Sequence, residues 1–263
     1  THLTGSMLIN KTDIKTHEVN DWDGLYLLHF NQSSCSQKVR IVLGELGIDC
    51  QYHHINLIRN EQKSDWYRGI NPAGQVPTLV HNGQVHTESN DIIQYLDDCF
   101  APEGRSLVPK DVAKKATMHE LLALEDDLHA DLRIVTFTYL MPDPDNIVGE
   151  TVDLGMVIGR FHNALTQLEL QLNNHPYLLG DSMSLLDISW GITLFRLKLA
   201  GYPLEKYPKV HSSFQKVVKR SHFKRELAKG PFPIKLLGTA YRLYRRVRGR
   251  TLRTAYLNWE LAG

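Results

Sequence analysis

Cysteine is scarce in this 263-residue chain: Cys35, Cys50 and Cys99 are too few and too odd in number for a disulfide framework, which points to a reducing compartment and makes the cytoplasm the expected location. Long hydrophobic runs are missing as well. No apolar stretch reaches bilayer length, and the opening residues lack the charged start and hydrophobic core of a secretion signal, so neither spanning nor export is expected. Neither sign of charge dominates. Thirty basic residues stand against 29 acidic ones, which removes the whole-chain electrostatic case for nucleic acid. The 13 histidines, among them His53-His54 and the pair His81 and His86, show no His-Glu-x-x-His or Cys-His spacing, and no metal is expected. Internal repeats and low-complexity tracts are absent too.

What remains is an ordinary globular composition, 42% hydrophobic and 22% charged, long enough for one large domain or two smaller ones with a sizeable core. Thr1 to Ser6 precede Met7 and read as a tag remnant, and residues 1–23 are taken as that remnant plus an N-terminal extension. From 24 to 100 the pattern changes every few residues. Leu25 to Phe30 reads as a buried strand. A helix follows from about Ser36, with Val39, Val42, Leu43 and Leu46 on one face and Gly47 as its stop. Tyr52 to Leu57 reads as a second strand and Glu61 to Tyr67 as a short helix, closed by the turn Asn71-Pro72-Ala73-Gly74. Pro77 to His81 and Gln84 to Thr87 flank Asn82-Gly83, the signal for a tight hairpin, and a helix begins at Ser89. The order βαβαββα is that of a thioredoxin-like α/β domain.

Pro102, Gly104 and Pro109 mark residues 101–111 as a linker, and from 112 to 263 strand signals nearly vanish in favour of an all-α bundle. Leu121, Leu122, Leu124, Leu128 and Leu132 predict one long helix stopping near Pro142-Asp143-Pro144. A second runs from about Val152 to Leu172. A third, deeply buried, starts after Ser184, whose partner Asp187 makes an acidic capping box. The tail, about 232–263, carries Lys235, Arg242, Arg245, Arg246, Arg248, Arg250 and Arg253 among leucines and tyrosines. Its amphipathic pattern predicts that the apolar side packs on the helical domain, where it can also roof the substrate pocket, or on a subunit partner, with the arginines solvated. Contact with an anionic membrane or nucleic acid is the alternative.

The loop Asn31-Gln32-Ser33-Ser34-Cys35-Ser36 joins the first strand to the first helix, where free amides and the helix dipole favour an anion. A bound thiolate is such an anion, and a hydroxyl donating to its sulfur lowers the thiol pKa further. Ser33 is the first candidate donor; as a bare helix cap it needs no such role. Cys35 competes: at a helix N-terminus its own thiol is favoured as thiolate and can form mixed disulfides, or it is a small buried hydrophobe. Gln75-Val76-Pro77 opens a strand, where a cis proline leaves Val76's backbone at the sheet edge to pair with a peptide-like ligand. Glu88-Ser89 begins a helix and can hold a carboxylate.

Taken together, Ser-Ser-Cys-Ser-Gln-Lys-Val-Arg at 33–40, Asn-Pro-Ala-Gly-Gln-Val-Pro at 71–77 and Thr-Glu-Ser at 87–89 resemble the glutathione transferase superfamily. Tyr177-Leu178-Leu179-Gly180-Asp181 with Ser184-Leu185-Leu186-Asp187 is similar to the family's buried capping motif, with Leu186 where the family usually has alanine. The resemblance implies glutathione as co-substrate, its cysteinyl backbone at Val76, its γ-glutamyl end at Glu88 and Ser89, and its sulfur facing Ser33, Ser34 or Cys35. It also implies a homodimer or a heterodimer with a related chain. Phe30, Arg133, Phe137 and Tyr139 would line the site of a hydrophobic, aromatic substrate. The loop is similar both to the zeta class, which works through serine, and to reductive dehalogenases, which use cysteine. Ser64-Asp65-Trp66 and the 71–89 motifs resemble bacterial β-aryl-ether-cleaving transferases of lignin degradation. Ser36 to Arg40 and Thr193 to Lys198 resemble the ganglioside-induced differentiation-associated proteins, whose hydrophobic membrane anchor is not found here. A weakly catalytic, membrane-associated binding protein is the reading from a different class.

Overall fold

The computed structural model describes residues 8–142, 152–228 and 232–262. The expected tag remnant, together with Asp143 and Pro144 of the expected helix stop, lies outside the described residues. The chain divides into two compact units: the chain up to Val108 with residues 221–229, and Pro109–Arg220 with the C-terminal helices.

The first unit is built on a five-stranded sheet in the order β1-β5-β4-β2-β3, with β1 Leu8–Ile9, β2 Leu25–His29, β3 Gln51–His54, β4 Thr78–His81 and β5 Gln84–His86. Strand β2 runs parallel to β3 and antiparallel to β4, and the β4–β5 hairpin turns on Asn82 and Gly83, both at positive φ as the Asn-Gly pair requires. Helices α1 Ser34–Leu46, α2 Asp65–Ile70 and α3 Ser89–Phe100 complete the expected βαβαββα series. Helix α1 starts two residues before the expected Ser36, because Ser33 caps it, and ends on Gly47 in the left-handed region.

Besides residues 101–108, read from sequence as part of the linker, two segments join this unit beyond the 24–100 span. Residues 8–23 supply strand β1, paired with β5, and bury Ile14 and Val19 in the core beside Leu28, Tyr67, Ile70 and Val80. The amides of Lys15 and Thr16 donate to the Gly69 carbonyl, and Trp66 Nε1 donates to Glu18 at 2.6 Å. The second segment is the short helix Ser221–Ala228, counted from sequence with the helical half, which packs on α1.

In the second unit the expected long leucine-marked helix is divided. Helix α4 Val112–Asp127 ends at Leu128, α5 His129–Val135 follows, and a π-helical turn covers Thr136–Leu140. Helix α6 Leu154–Leu172 and the central α7 Leu185–Ala200 come next. Nearly every face of α7 is buried. The capping box is present, and the Asp187 carboxylate accepts from the amides of Leu178 and Ser184 and from the Ser184 hydroxyl at 2.7–2.9 Å. Helix α8 Pro208–Val218 packs on α6 and α7. With Ser221–Ala228 numbered α9, the tail forms α10 Phe232–Val247 and α11 Leu252–Ala262.

Candidate functional site

Three loops of the first unit converge because of strand register. Leu28 of β2 pairs with Thr78 of β4, and His86 of β5 pairs with Leu79, so the C-terminal ends of β2 and β5 lie beside the N-terminal end of β4. The β2–α1 turn, the Val76-Pro77 segment and the Glu88-Ser89 helix start therefore leave the sheet at one end.

In the β2–α1 turn, residues 31–35 are half-buried, while Phe30 and Ser36 on either side are buried. Ser33 caps α1: its Oγ accepts from the Ser36 amide at 3.2 Å, which occupies a lone pair and leaves the hydroxyl proton to donate. Capping and donation are thus compatible. The Ser34 hydroxyl makes no hydrogen bond among the described residues, and Cys35 sits in the first turn of α1 as a thiol outside any disulfide.

The turn is held from below by Arg40, a residue that sequence reading treated only as part of a motif. The residue is 3% exposed; its Nη1 donates to the Phe30 carbonyl at 3.3 Å and lies 2.7 Å from His29 Nδ1, while Nη2 donates to the Asn31 carbonyl at 2.9 Å. Since a guanidinium only donates, His29 Nδ1 accepts and a neutral His29 carries its proton on Nε2. Arg40 Nε donates to the Glu226 carboxylate of α9 at 2.7 Å.

Val76-Pro77 is cis, as the sequence suggested, and the ladder between β2 and β4 ends at Thr78, which leaves Val76 beyond the last pair. Gln75 is exposed, Val76 half-buried and Pro77 buried. The Gln75 carbonyl accepts from the Tyr67 hydroxyl at 2.6 Å and from Asn71 Nδ2 at 3.0 Å; both donors also bond Thr78 Oγ1, at 2.8 and 3.0 Å. This polar clamp fixes both ends of the Gln75–Thr78 segment. Asn71 was legible as a turn residue; Tyr67 carried no signal beyond its place in a short helix.

Glu88 is exposed at φ 61°, a left-handed conformation rare for a non-glycine residue, and its side chain does not cap α3. Ser89, buried, opens α3 directly after it. Helix α3 is registered against α1 by Lys38 Nζ donating to Asn90 Oδ1 at 2.7 Å, a buried contact absent from the sequence reading.

The four residues expected around an apolar substrate belong to different units. Phe30 is 9% exposed at the end of β2. Arg133 is exposed on α5 and Phe137 half-buried in the π-helical turn. Tyr139 is buried, with the Arg245 guanidinium over its ring at 5.0 Å; burial pushes its hydroxyl pKa up, partly offset by that cation. Among the described residues no group of three or more His, Cys, Asp or Glu could hold a metal ion.

Comparison with known proteins follows the same division of the chain. The model for "Glutathione S-transferase, N-terminal domain" matches residues 27–104, and that for "Glutathione S-transferase, C-terminal domain" matches residues 124–212. A probable maleylacetoacetate isomerase of Caenorhabditis elegans is 33% identical over 184 residues, covering 67% of this chain and 83% of the relative. The protein LigF of Sphingobium sp. is 43% identical over 94 residues, 36% of this chain and 37% of LigF. The crystal structure of the β-etherase LigF from strain SYK-6 superposes with a TM-score of 0.66 at 25% identity, covering 78% of this chain and 99% of that one.

Proposed function

The chain belongs to the glutathione S-transferase family, whose co-substrate is glutathione, and we propose that it binds that peptide across the three converging loops and turns its thiolate on a hydrophobic aromatic electrophile. The γ-glutamyl carboxylate goes to the Ser89 hydroxyl at the positive end of the α3 dipole, with Glu88 near the γ-glutamyl ammonium. The cysteinyl backbone pairs with Val76, held in place by Gln75 and Pro77. The sulfur then lies at the start of α1, where the Ser33 hydroxyl donates to it; Ser34 and Cys35 are its neighbours. Ionisation releases the thiol proton to water, and the helix N-terminus together with the Ser33 donor stabilises the anion left behind.

The single observation that supports this most is the Ser33 geometry: a half-buried hydroxyl whose acceptor side is occupied by the Ser36 amide, leaving its proton for an anion. For the substrate, the likeness to LigF favours β-aryl ethers. The thiolate attacks the carbon bearing the aryloxy group, a C–S bond forms, the C–O bond breaks, and the aryloxide departs with the electron pair to be protonated by solvent. Phe30, Arg133 and Phe137 are the candidates for contacting the aromatic part. The same reading makes the protein a cytoplasmic dimer, with itself or with a related chain.

A second reading rests on Cys35 in the first turn of α1: its thiolate attacks the glutathione sulfur of a disulfide or of a glutathione–aryl thioether, displacing a thiolate or an aryl carbanion that takes a proton, and a second glutathione releases the mixed disulfide as glutathione disulfide, serving thiol transfer or reductive dehalogenation. Product analysis with β-aryl ethers, halogenated aromatics and maleylacetoacetate separates the possibilities. Thioether and free phenol, lost in Ser33→Ala and retained in Cys35→Ala, support the main reading. Turnover that depends on Cys35 alone, or isomerisation without ether cleavage, overturns it.

A further inference from the structure

The apolar side of helix α10 does not pack on the helical domain, the first of the two placements its pattern predicted. The side packed on the second unit is polar and small: Gly238 closes on the Leu140 carbonyl, the Tyr241 hydroxyl donates to the Thr138 carbonyl at 3.1 Å, and Arg245 covers Tyr139. The apolar side faces out. Leu236, Ala240, Leu243 and Val247 follow at intervals of four, three and four, all exposed, with Leu243 60% and Val247 79% accessible; Leu237 and Tyr244 widen the row and are exposed too.

The charges beside this row have one sign. No acidic residue occurs between Glu226 and Glu260, and Arg246, Arg248 and Arg250 are exposed, with Arg248 stacked over the Tyr244 ring at 5.3 Å. A second copy of the chain is a poor occupant. In a two-fold contact the row would meet itself, setting these arginines against their own copies without an acid between them. Nucleic acid would satisfy the arginines and leave the leucines in water. An anionic lipid surface satisfies both, because the apolar row sinks to the acyl boundary while guanidinium groups meet headgroup phosphates. No described helix is long and apolar enough to cross a bilayer, so the helix would lie in the surface plane.

We propose that α10 is an interfacial helix that docks the protein on anionic membrane through the Leu236-Leu243-Val247 row and its flanking arginines. This stands apart from the glutathione reading, since none of these residues belongs to the glutathione-binding loops. The test is flotation of the full chain with vesicles of phosphatidylcholine alone and of phosphatidylcholine with phosphatidylglycerol, at low and high salt. Binding is expected only with phosphatidylglycerol and weakens with salt. Leu243→Asp with Val247→Asp should lower it by about tenfold or more, as should Arg246→Glu with Arg248→Glu, both with unchanged thermal unfolding since these side chains are exposed. Three results would overturn the proposal: absence of binding to the anionic vesicles, binding indifferent to the Leu243 and Val247 substitutions, or conversion of a dimer to monomer by those substitutions without vesicles.

Discussion

Arg40 of α1 and Glu226 of α9 meet at 2.7 Å across 186 residues of sequence, with both side chains almost wholly withdrawn from water. Gln37 Nε2 also donates to the Glu226 carbonyl, so the first helix and a segment from near the end of the chain share one buried polar contact. The guanidinium links that contact to the carbonyls of Phe30 and Asn31, and so to the turn that carries Ser33.

Removing one member of this pair leaves a buried charge without its partner. Glu226→Ala is expected to cost about 3–5 kcal/mol in urea unfolding, whereas Glu226→Gln keeps an acceptor toward Arg40 and costs less. Equal stability of Glu226→Ala and the parent would show that the pair does not hold the turn.

The Tyr67 hydroxyl joins the Gln75 carbonyl to Thr78 Oγ1. Tyr67→Phe should lose about 1–2 kcal/mol and raise KM for glutathione more than it lowers kcat, because it loosens a binding segment and not the sulfur site. Steady-state kinetics with varied glutathione read out that split.

At the base of the second unit, Asp187 accepts three buried donors, from Leu178 and Ser184. Asp187→Ala leaves them unsatisfied and is expected to destabilise by about 3 kcal/mol or more, seen as a fall in the thermal midpoint. Ser184→Ala should cost less, since it removes one of the three donors.

Burial pushes the His86 imidazole down from 6.5 to about 4, with His81 adding to the shift, and its ring stacks on Tyr95 at 3.9 Å. Between those values the unfolded chain binds the proton and the folded one does not, so stability falls as pH drops through 6.5 toward 4. The expected loss is on the order of 2 kcal/mol, and His86→Gln should flatten that part of the pH–stability curve.

Much of the first unit was legible because its signals are local. Alternating and continuous apolar runs marked β2, β4 and β5; Asn82-Gly83 marked the hairpin; and Ser33, Ser89 and Ser184 fell at helix starts. Residues 8–23 and α9 escaped because they contribute through tertiary contacts. Ile14 and Val19 are single apolar residues without a period, and Glu226 gains its meaning only from Arg40. The division at Leu128 has no proline or glycine to announce it. For α10 the period gave a correct helix but could not choose what its apolar face meets, since amphipathicity identifies a face without saying what covers it.

The most direct measurement is a pH titration of the ultraviolet thiolate absorbance of glutathione bound to the parent, to Ser33→Ala and to Cys35→Ala. The bound thiol of the parent should titrate well below the free thiol, Ser33→Ala should raise that pKa by about 1–2 units, and Cys35→Ala should leave it in place. A bound thiol that titrates alike in the parent and Ser33→Ala, but moves in Cys35→Ala, would contradict activation by Ser33 and assign the sulfur chemistry to Cys35.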